Sequence, residues 1–443
     1  MANQEPATSV GKEAKTTEVG SVFVSNYPPY SFWSAEADTT IQDVLDRAPA
    51  PDAQLGLYIH IPFCRKRCKF CYFRVFTDKN ASEIERYLSA VEREAAMLAD
   101  QPAVQGRRPK LVYFGGGTPS FISSKHLRQL TEGLRRRFDW SEVEEFAFEC
   151  EPGTLTQQKL ETIRDVGVTR LSLGVENFDD RILEENGRAH VTKEIYKVLP
   201  WIRALDFPQL NIDLIAGMVG ETWETWRVSV AKAIEMSPDS VTVYQMELPY
   251  NTVYSKTILD GAPTPIANWE TKREWHDYAF EQLAAAGYQI SSAYTMVKSD
   301  RSAGFLYRDA LWHGDDLISL GVSSFGHLSG VHYQNQAAWT PYLDAVEGGA
   351  LPISRTYVTN DDERFTREWI LQMKLGHLET AYFKKKFGQD PLERFATPLR
   401  DLEQKGLLKI ADGVVTLSRE GLLKVDLLLP NFYDERFQNA RYT

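Results

Sequence analysis

The sequence predicts an α/β protein built on an incomplete (β/α)6 barrel, with an N-terminal arm and a helical, winged-helix-like C-terminal domain. Three observations predict it. From Leu55 onward, six short β-rich runs alternate with longer stretches of helical apolar spacing, the pattern of a parallel sheet with crossover helices. Several runs carry acidic residues toward their C-terminal ends, the edge where such sheets bind ligands. At 443 residues the chain is too long for one ordinary domain and suits a barrel with attachments.

Residues 1–50 are expected to form a disordered tail, to about Gly20, and an aromatic arm, VFVSNYPPYSFW, which either lines a pocket mouth or covers a core edge. Residues 51–300 are assigned to the barrel. Its strand candidates are Leu55–Ile61, Lys110–Phe114, Glu145–Glu151, Thr169–Glu176, Leu210–Gly217 and Ser240–Leu248, with helical stretches such as Ser82–Leu98 and Thr156–Gly167 between them. Alternation within the fourth run puts Leu171, Leu173 and Val175 on one face and Ser172, Gly174 and Glu176 on the other. The third run likewise opposes Phe146, Phe148 and Cys150 to Glu149 and Glu151, and the fifth places Asp213 on the polar side. Residues 301–443 form the C-terminal domain. Its last stretch, LLKIADGVVTLSREGLLKVDLLL, reads as a wing plus helix, and its balanced charges favour a packing or lid domain over a DNA reader.

Composition narrows the class. No run approaches the roughly 20 apolar residues that cross a bilayer, and a net charge of -11 offers no attraction to phosphate backbones. Neither a membrane nor nucleic acid is expected as a partner. Four cysteines are too few to staple this chain, and the start lacks a secretory pattern, so the protein is expected in the cytoplasm, as a monomer.

Three of those cysteines lie just after the first strand, in HIPFCRKRCKFCYF, giving Cys64, Cys68 and Cys71 at CX3CX2C spacing. Thiolates this dense on one loop suit an iron–sulfur cluster. A zinc site with His60 as fourth ligand is the alternative. Cys150 reads as a small core residue. Three thiolates on a four-iron cluster leave one iron open.

This loop resembles that of the radical S-adenosylmethionine (SAM) enzymes. The resemblance implies a [4Fe-4S] cluster whose open iron chelates SAM, and one-electron cleavage to a 5′-deoxyadenosyl radical, with the electron from an external flavodoxin- or ferredoxin-type reductant. LYIHIPFC, YFGGGTPS, ECEPGTL, RLSLGVENFDD with GRAH, and NIDLIAGMVGET further resemble the oxygen-independent coproporphyrinogen III oxidase superfamily, which includes a haem chaperone, anaerobic haem-degrading enzymes and class C methylases and cyclopropanases.

The resemblance implies two SAM molecules side by side. Tyr58, Gly116, Glu149 and Phe325 match contacts to the cluster-bound one, and Phe70, Gly117, Thr118, Arg188, Asp213 and Glu247 match contacts to the second. Glu176 stands where the oxidase has glutamine, adding negative charge there. Tyr58, Glu176, Tyr244 and Glu247 are the catalytic candidates. For each charged residue a salt bridge at the barrel mouth is the alternative. Phe73 replaces a further cysteine of the decarboxylase, and YRDALWHGDD departs from the chaperone's haem-binding stretch. These departures point to radical C-methylation, methylene transfer or cyclopropanation of a small molecule. Coproporphyrinogen decarboxylation or other tetrapyrrole chemistry, and a haem-carrying chaperone, are the alternatives.

Overall fold

The computed structural model describes residue 17 and residues 19–35, 38–50, 53–300 and 304–438. Six parallel strands appear at the six expected places: β1 (Leu55–Ile61), β2 (Leu111–Gly116), β3 (Glu145–Cys150), β4 (Arg170–Glu176), β5 (Gln209–Ala216) and β6 (Ser240–Gln245). Their alternation is as expected. Leu171, Leu173 and Val175 are buried in the large core with Phe146, Phe148 and Cys150, while the opposite faces turn into the barrel. Local chemistry starts the helices on cue. Asn80 and Glu83 form a reciprocal cap at the head of the Ala81–Ala99 helix, and Asn360 and Glu363 repeat it on Asp361–Met373.

The sheet does not stop at six strands. β7 (Tyr288–Ile290) and β8 (Thr295–Lys298) pair antiparallel beyond β6. On the other side β9 (Asp316–Leu320) pairs parallel with β1, followed antiparallel by β10 (Phe325–Leu328), β11 (Val331–Asn335) and β12 (Ile353–Val358). The result is one twelve-stranded sheet in the order β12-β11-β10-β9-β1-β2-β3-β4-β5-β6-β8-β7. The expected division at 300 therefore falls inside this sheet. Its cause is the return of β9 to β1, a pairing between segments distant in sequence that has no local signal.

Beyond the sheet, residues 361–438 form helices around a small antiparallel sheet of β13 (His377–Glu379), β14 (Leu408–Ala411) and β15 (Val414–Leu417), with β15 central. Trp369, Phe383, Phe395 and Phe432 fill their core, and Val24 and Tyr27 of the arm are buried in it. The arm thus takes both expected roles, since Ser21, Val22, Phe23 and Ser25 also line a cleft. Most of the expected disordered tail lies outside the described residues. Its end is fixed: the Thr17 hydroxyl donates to the Ala267 carbonyl (2.7 Å) and Gly20 N–H to Leu248 (2.8 Å).

The end of the barrel opposite the cysteine loop is closed. Arg170 and Glu145, at the starts of β4 and β3, pair at 3.0 Å while buried. Glu145 also accepts from the Leu306 and Tyr307 N–H groups, and Phe305 lies under the Arg170 guanidinium at 4.6 Å. YRDALWHGDD begins as part of this closure, on the Leu306–Trp312 helix, with Tyr307 stacked on Tyr113 at 4.2 Å. No described helix is long and apolar enough to cross a membrane.

Candidate active site: a cysteine loop above an acidic cleft

β1 runs through Ile61, Pro62 and Phe63 straight into the cysteine loop. Backbone bonds from Cys64 N–H to the Phe76 carbonyl (3.0 Å), from Phe76 N–H to Pro62 (2.8 Å) and from Lys69 N–H to Asn186 (3.0 Å) hold the loop in place. Cys64, Cys68 and Cys71 are free thiols, all half-buried and all on the wall of one cleft of about 490 Å³. The Thr118 hydroxyl donates to Cys64 Sγ and Arg188 Nη1 to Cys68 Sγ, each at 3.4 Å. Burial pushes Cys64 up to about 12 and Cys71 up to about 11, so loading metal here displaces protons.

His60 does not join the cysteines. Its Nδ1 meets the Tyr58 hydroxyl at 3.1 Å, burial holds its ring neutral at a pKa of about 4, and it packs against Gly116, where a β-carbon would lie 2.5 Å from the ring. Among the described residues no three His, Cys, Asp or Glu side chains are placed to hold a single ion. His60, engaged with Tyr58 and packed against Gly116, is thus not offered as the fourth ligand that the zinc alternative needs. Cys150 is buried in the large core while touching the cleft.

Gly116 and Gly117 bring backbone under the loop. Gly116 has φ +111°, and its N–H donates to Glu149 (3.1 Å), whose other oxygen accepts from the Tyr113 hydroxyl (2.6 Å). Burial raises the Glu149 carboxyl to about 7 against the pull of both donors. Deeper along the strand ends, Glu176 and Asp213 join it. Burial raises both, and the Glu176 charge pushes Asp213 further. Tyr244 and Phe70 also line this floor.

Two elements make Glu176 unusual. Asn177 N–H bonds back to the Val175 carbonyl at 2.8 Å around Glu176, which has φ +65°, and the β4–β5 register slips at the same point. This is the strained form of the three-residue turn. His190 supports it from below, with Nε2 3.3 Å from the Val175 carbonyl and Nδ1 2.9 Å from Glu151.

The structure separates some expected site residues from the cleft. Tyr58 and Phe325 are not among its lining residues; Phe325 sits against Tyr30 and Trp33 at 5.5 and 5.7 Å. Glu247 lines the cleft but is engaged, its carboxylate accepting from the Ser21 hydroxyl and from Val22 and Phe23 N–H at 3.2 and 3.0 Å. It clips the arm in place. Sequence reasoning missed the cleft roof altogether. Asp426 accepts from Val24 N–H (3.0 Å), pairs with Lys374 (2.8 Å) and receives the Tyr294 hydroxyl, joining arm, C-terminal domain and barrel. Trp269, Arg273 and Lys424 complete the walls.

The radical SAM superfamily domain matches residues 58–233, which span the cysteine loop, the glycine turn and β1 to β5. The barrel is a radical SAM domain. Residues 360–423 match the HemN C-terminal domain, so the chain carries both domains. It is 27% identical over 372 residues to the heme chaperone HemW of Bacillus subtilis, covering 83% of this chain and 96% of that one. It is 29% identical over 384 residues to the oxygen-independent coproporphyrinogen III oxidase of Pseudomonas aeruginosa, covering 83% and 81%. The fold matches that of HemN from Escherichia coli, a coproporphyrinogen III oxidase described as a radical SAM enzyme, with a TM-score of 0.81, 23% identity and coverage of 93% and 96%. The site suits the cofactors of the superfamily. Three free thiols on one loop face one cleft, two of them receive hydrogen bonds, and half-buried carboxylates lining the same cleft suit a cationic sulfonium.

Proposed function

We propose that this protein is an enzyme that cleaves SAM reductively to act on a carboxylate-bearing tetrapyrrole. One observation carries the reading: the cleft is lined by separate groups of acidic and basic side chains. Half-buried Glu149, Glu176 and Asp213 gather at the ends of β3, β4 and β5, while exposed Lys66 and Arg67 of the cysteine loop and Lys424 of the C-terminal domain line the same cleft. A cationic nucleotide is favoured at the carboxylates and an anionic substrate at the lysines and arginine. Aromatic rings lining the same cleft, Tyr72 and Phe73 stacked at 4.5 Å and Tyr244, supply flat apolar surface for a macrocycle.

In this reading Cys64, Cys68 and Cys71 hold the [4Fe-4S] cluster, which with SAM supplies one-electron cleavage of a sulfonium bond. Glu149 and Gly116 position the cluster-bound SAM. Glu176, Asp213 and Arg188, which line the same cleft, receive a second SAM beside it, the carboxylates facing its cationic groups and the guanidinium its carboxylate. The arm and the Asp426 junction keep water from the chamber. Methyl or methylene transfer, expected from the replacement of a cysteine by Phe73, is less favoured, because the chain is similar to an oxidase and a heme chaperone. A haem-carrying role is the second reading, favoured by the similarity to HemW along 96% of that protein.

Anaerobic protein with a reconstituted cluster, dithionite and SAM tests this, with and without coproporphyrinogen. The expected result is porphyrinogen-dependent 5′-deoxyadenosine without S-adenosylhomocysteine. S-adenosylhomocysteine as the main product would restore methyl transfer, and stoichiometric haem binding without SAM turnover would establish the carrier.

A further inference from the structure

Arg188 stands between a cluster cysteine and a carboxylate. Its Nη1 donates to Cys68 Sγ at 3.4 Å, its Nη2 donates to the Gly174 carbonyl at 2.8 Å, and the same Nη2 lies 3.6 Å from Glu176. Its Nε is buried without a hydrogen-bond partner. The three groups are packed together by the backbone. Gly174 has no side chain where a β-carbon would lie 3.0 Å from Glu176 Oε1 and 3.3 Å from Arg188 Nη2. The strained turn at Glu176 directs its carboxylate to this spot, and His190 braces that turn through the Val175 carbonyl. Strain is retained at a non-glycine residue when the geometry it secures is used.

We infer that Glu176 sets the reduction potential of the cluster through Arg188, as a positioning residue that never touches iron. This rests on the cluster reading above. A hydrogen bond from a cation to a ligand sulfur favours the more negative, reduced cluster. Reduction adds one electron from the external one-electron donor, so the guanidinium gains attraction on that step. Glu176 opposes it twice, by its own negative charge and by drawing the guanidinium toward itself. A cation seated against Glu176 relieves both effects. Occupancy of the deep subsite and ease of reduction are thereby linked, and by reciprocity reduction tightens the bound cation.

The test is a mediated redox titration of the reconstituted protein in mildly alkaline buffer, followed by the cluster's absorbance and its reduced-state electron paramagnetic resonance, with iron and sulfide counted first. Glu176→Gln should raise the midpoint, favouring reduction on the order of tenfold, which for one electron is about 59 mV. Arg188→Gln should lower it by a comparable factor, and Arg188→Lys, which keeps the charge, should recover part of the loss. A Glu176→Gln protein with full iron and an unmoved midpoint overturns the inference, as does an Arg188→Gln midpoint equal to that of Arg188→Lys. These results would leave the cluster reading standing. A wild-type chain that assembles no four-iron cluster overturns both.

Discussion

Alanine at Gly117 probes how closely the glycine turn supports the cysteine loop. A β-carbon there would lie 2.8 Å from the Pro62 carbonyl carbon and 3.0 Å from the carbonyl oxygens of Ile61 and Phe63, where relaxed carbon contacts are about 3.5–4.0 Å. All three neighbours are backbone atoms, so no side chain can swing aside, and the strand exit leading to Cys64 must move. Overpacking of this kind costs about 1–3 kcal/mol. The bond from Gly117 N–H to Ile61 (2.8 Å) is strained at the same time, adding about 1 kcal/mol. Gly117→Ala should therefore destabilise the cluster-free protein by about 2–4 kcal/mol in denaturant unfolding, and reconstituted iron per chain should fall. Gly349→Ala is the control. Gly349 has φ +80° with nothing within 4 Å, so it bears only left-handed strain, about 1–2 kcal/mol, and should keep full iron. Wild-type stability and iron in Gly117→Ala would refute the close support.

Three further outcomes are expected. Cys68→Ser should abolish the visible absorbance of the reconstituted protein; intact iron content would remove Cys68 from the ligand set. Glu247→Ala should release the arm, because three donors lose their acceptor, and hydrogen exchange over residues 19–25 should rise while the cluster spectrum stays; unchanged protection would show that the clip is dispensable. Glu94 is buried away from the cleft and accepts from Gly321, Asn335 and Tyr342, and burial raises its pKa from 4.5 to about 7. A raised carboxyl contributes stability below its unfolded pKa that is lost as pH climbs through the folded one, here on the order of 3 kcal/mol. Glu94→Gln should flatten stability against pH between 4.5 and about 7, and an unaltered slope would show that Glu94 is already ionised throughout.

What the sequence disclosed followed from how local each signal was. The alternation of Leu171, Leu173 and Val175 against Ser172 and Glu176 has a period of two residues, and the structure keeps it. Cys64, Cys68 and Cys71 fall within eight positions, so their convergence needed no knowledge of the rest of the chain. Glu247 was legible as a strand-end carboxylate but not as the acceptor for the arm, because its donors lie more than 220 positions away. Asp426 gave no sign at all. Its bond to Val24 spans 402 positions, and its surroundings read as an ordinary amphipathic helix. The strained turn at Glu176 was hidden too, since a non-glycine residue carries no mark of positive φ.

β1 bears the cysteine loop from the middle of the sheet, between β2 and β9. A fragment ending at residue 300 would strip β9 away and leave the N–H and C=O groups from Leu55 to Ile59 unpaired along one flank. Such a row is a template for stray strands, so that fragment should aggregate rather than fold as a minimal cluster carrier. By the same reasoning a fragment that keeps this flank paired must continue through Val358, because β11 is itself paired along its length with β12.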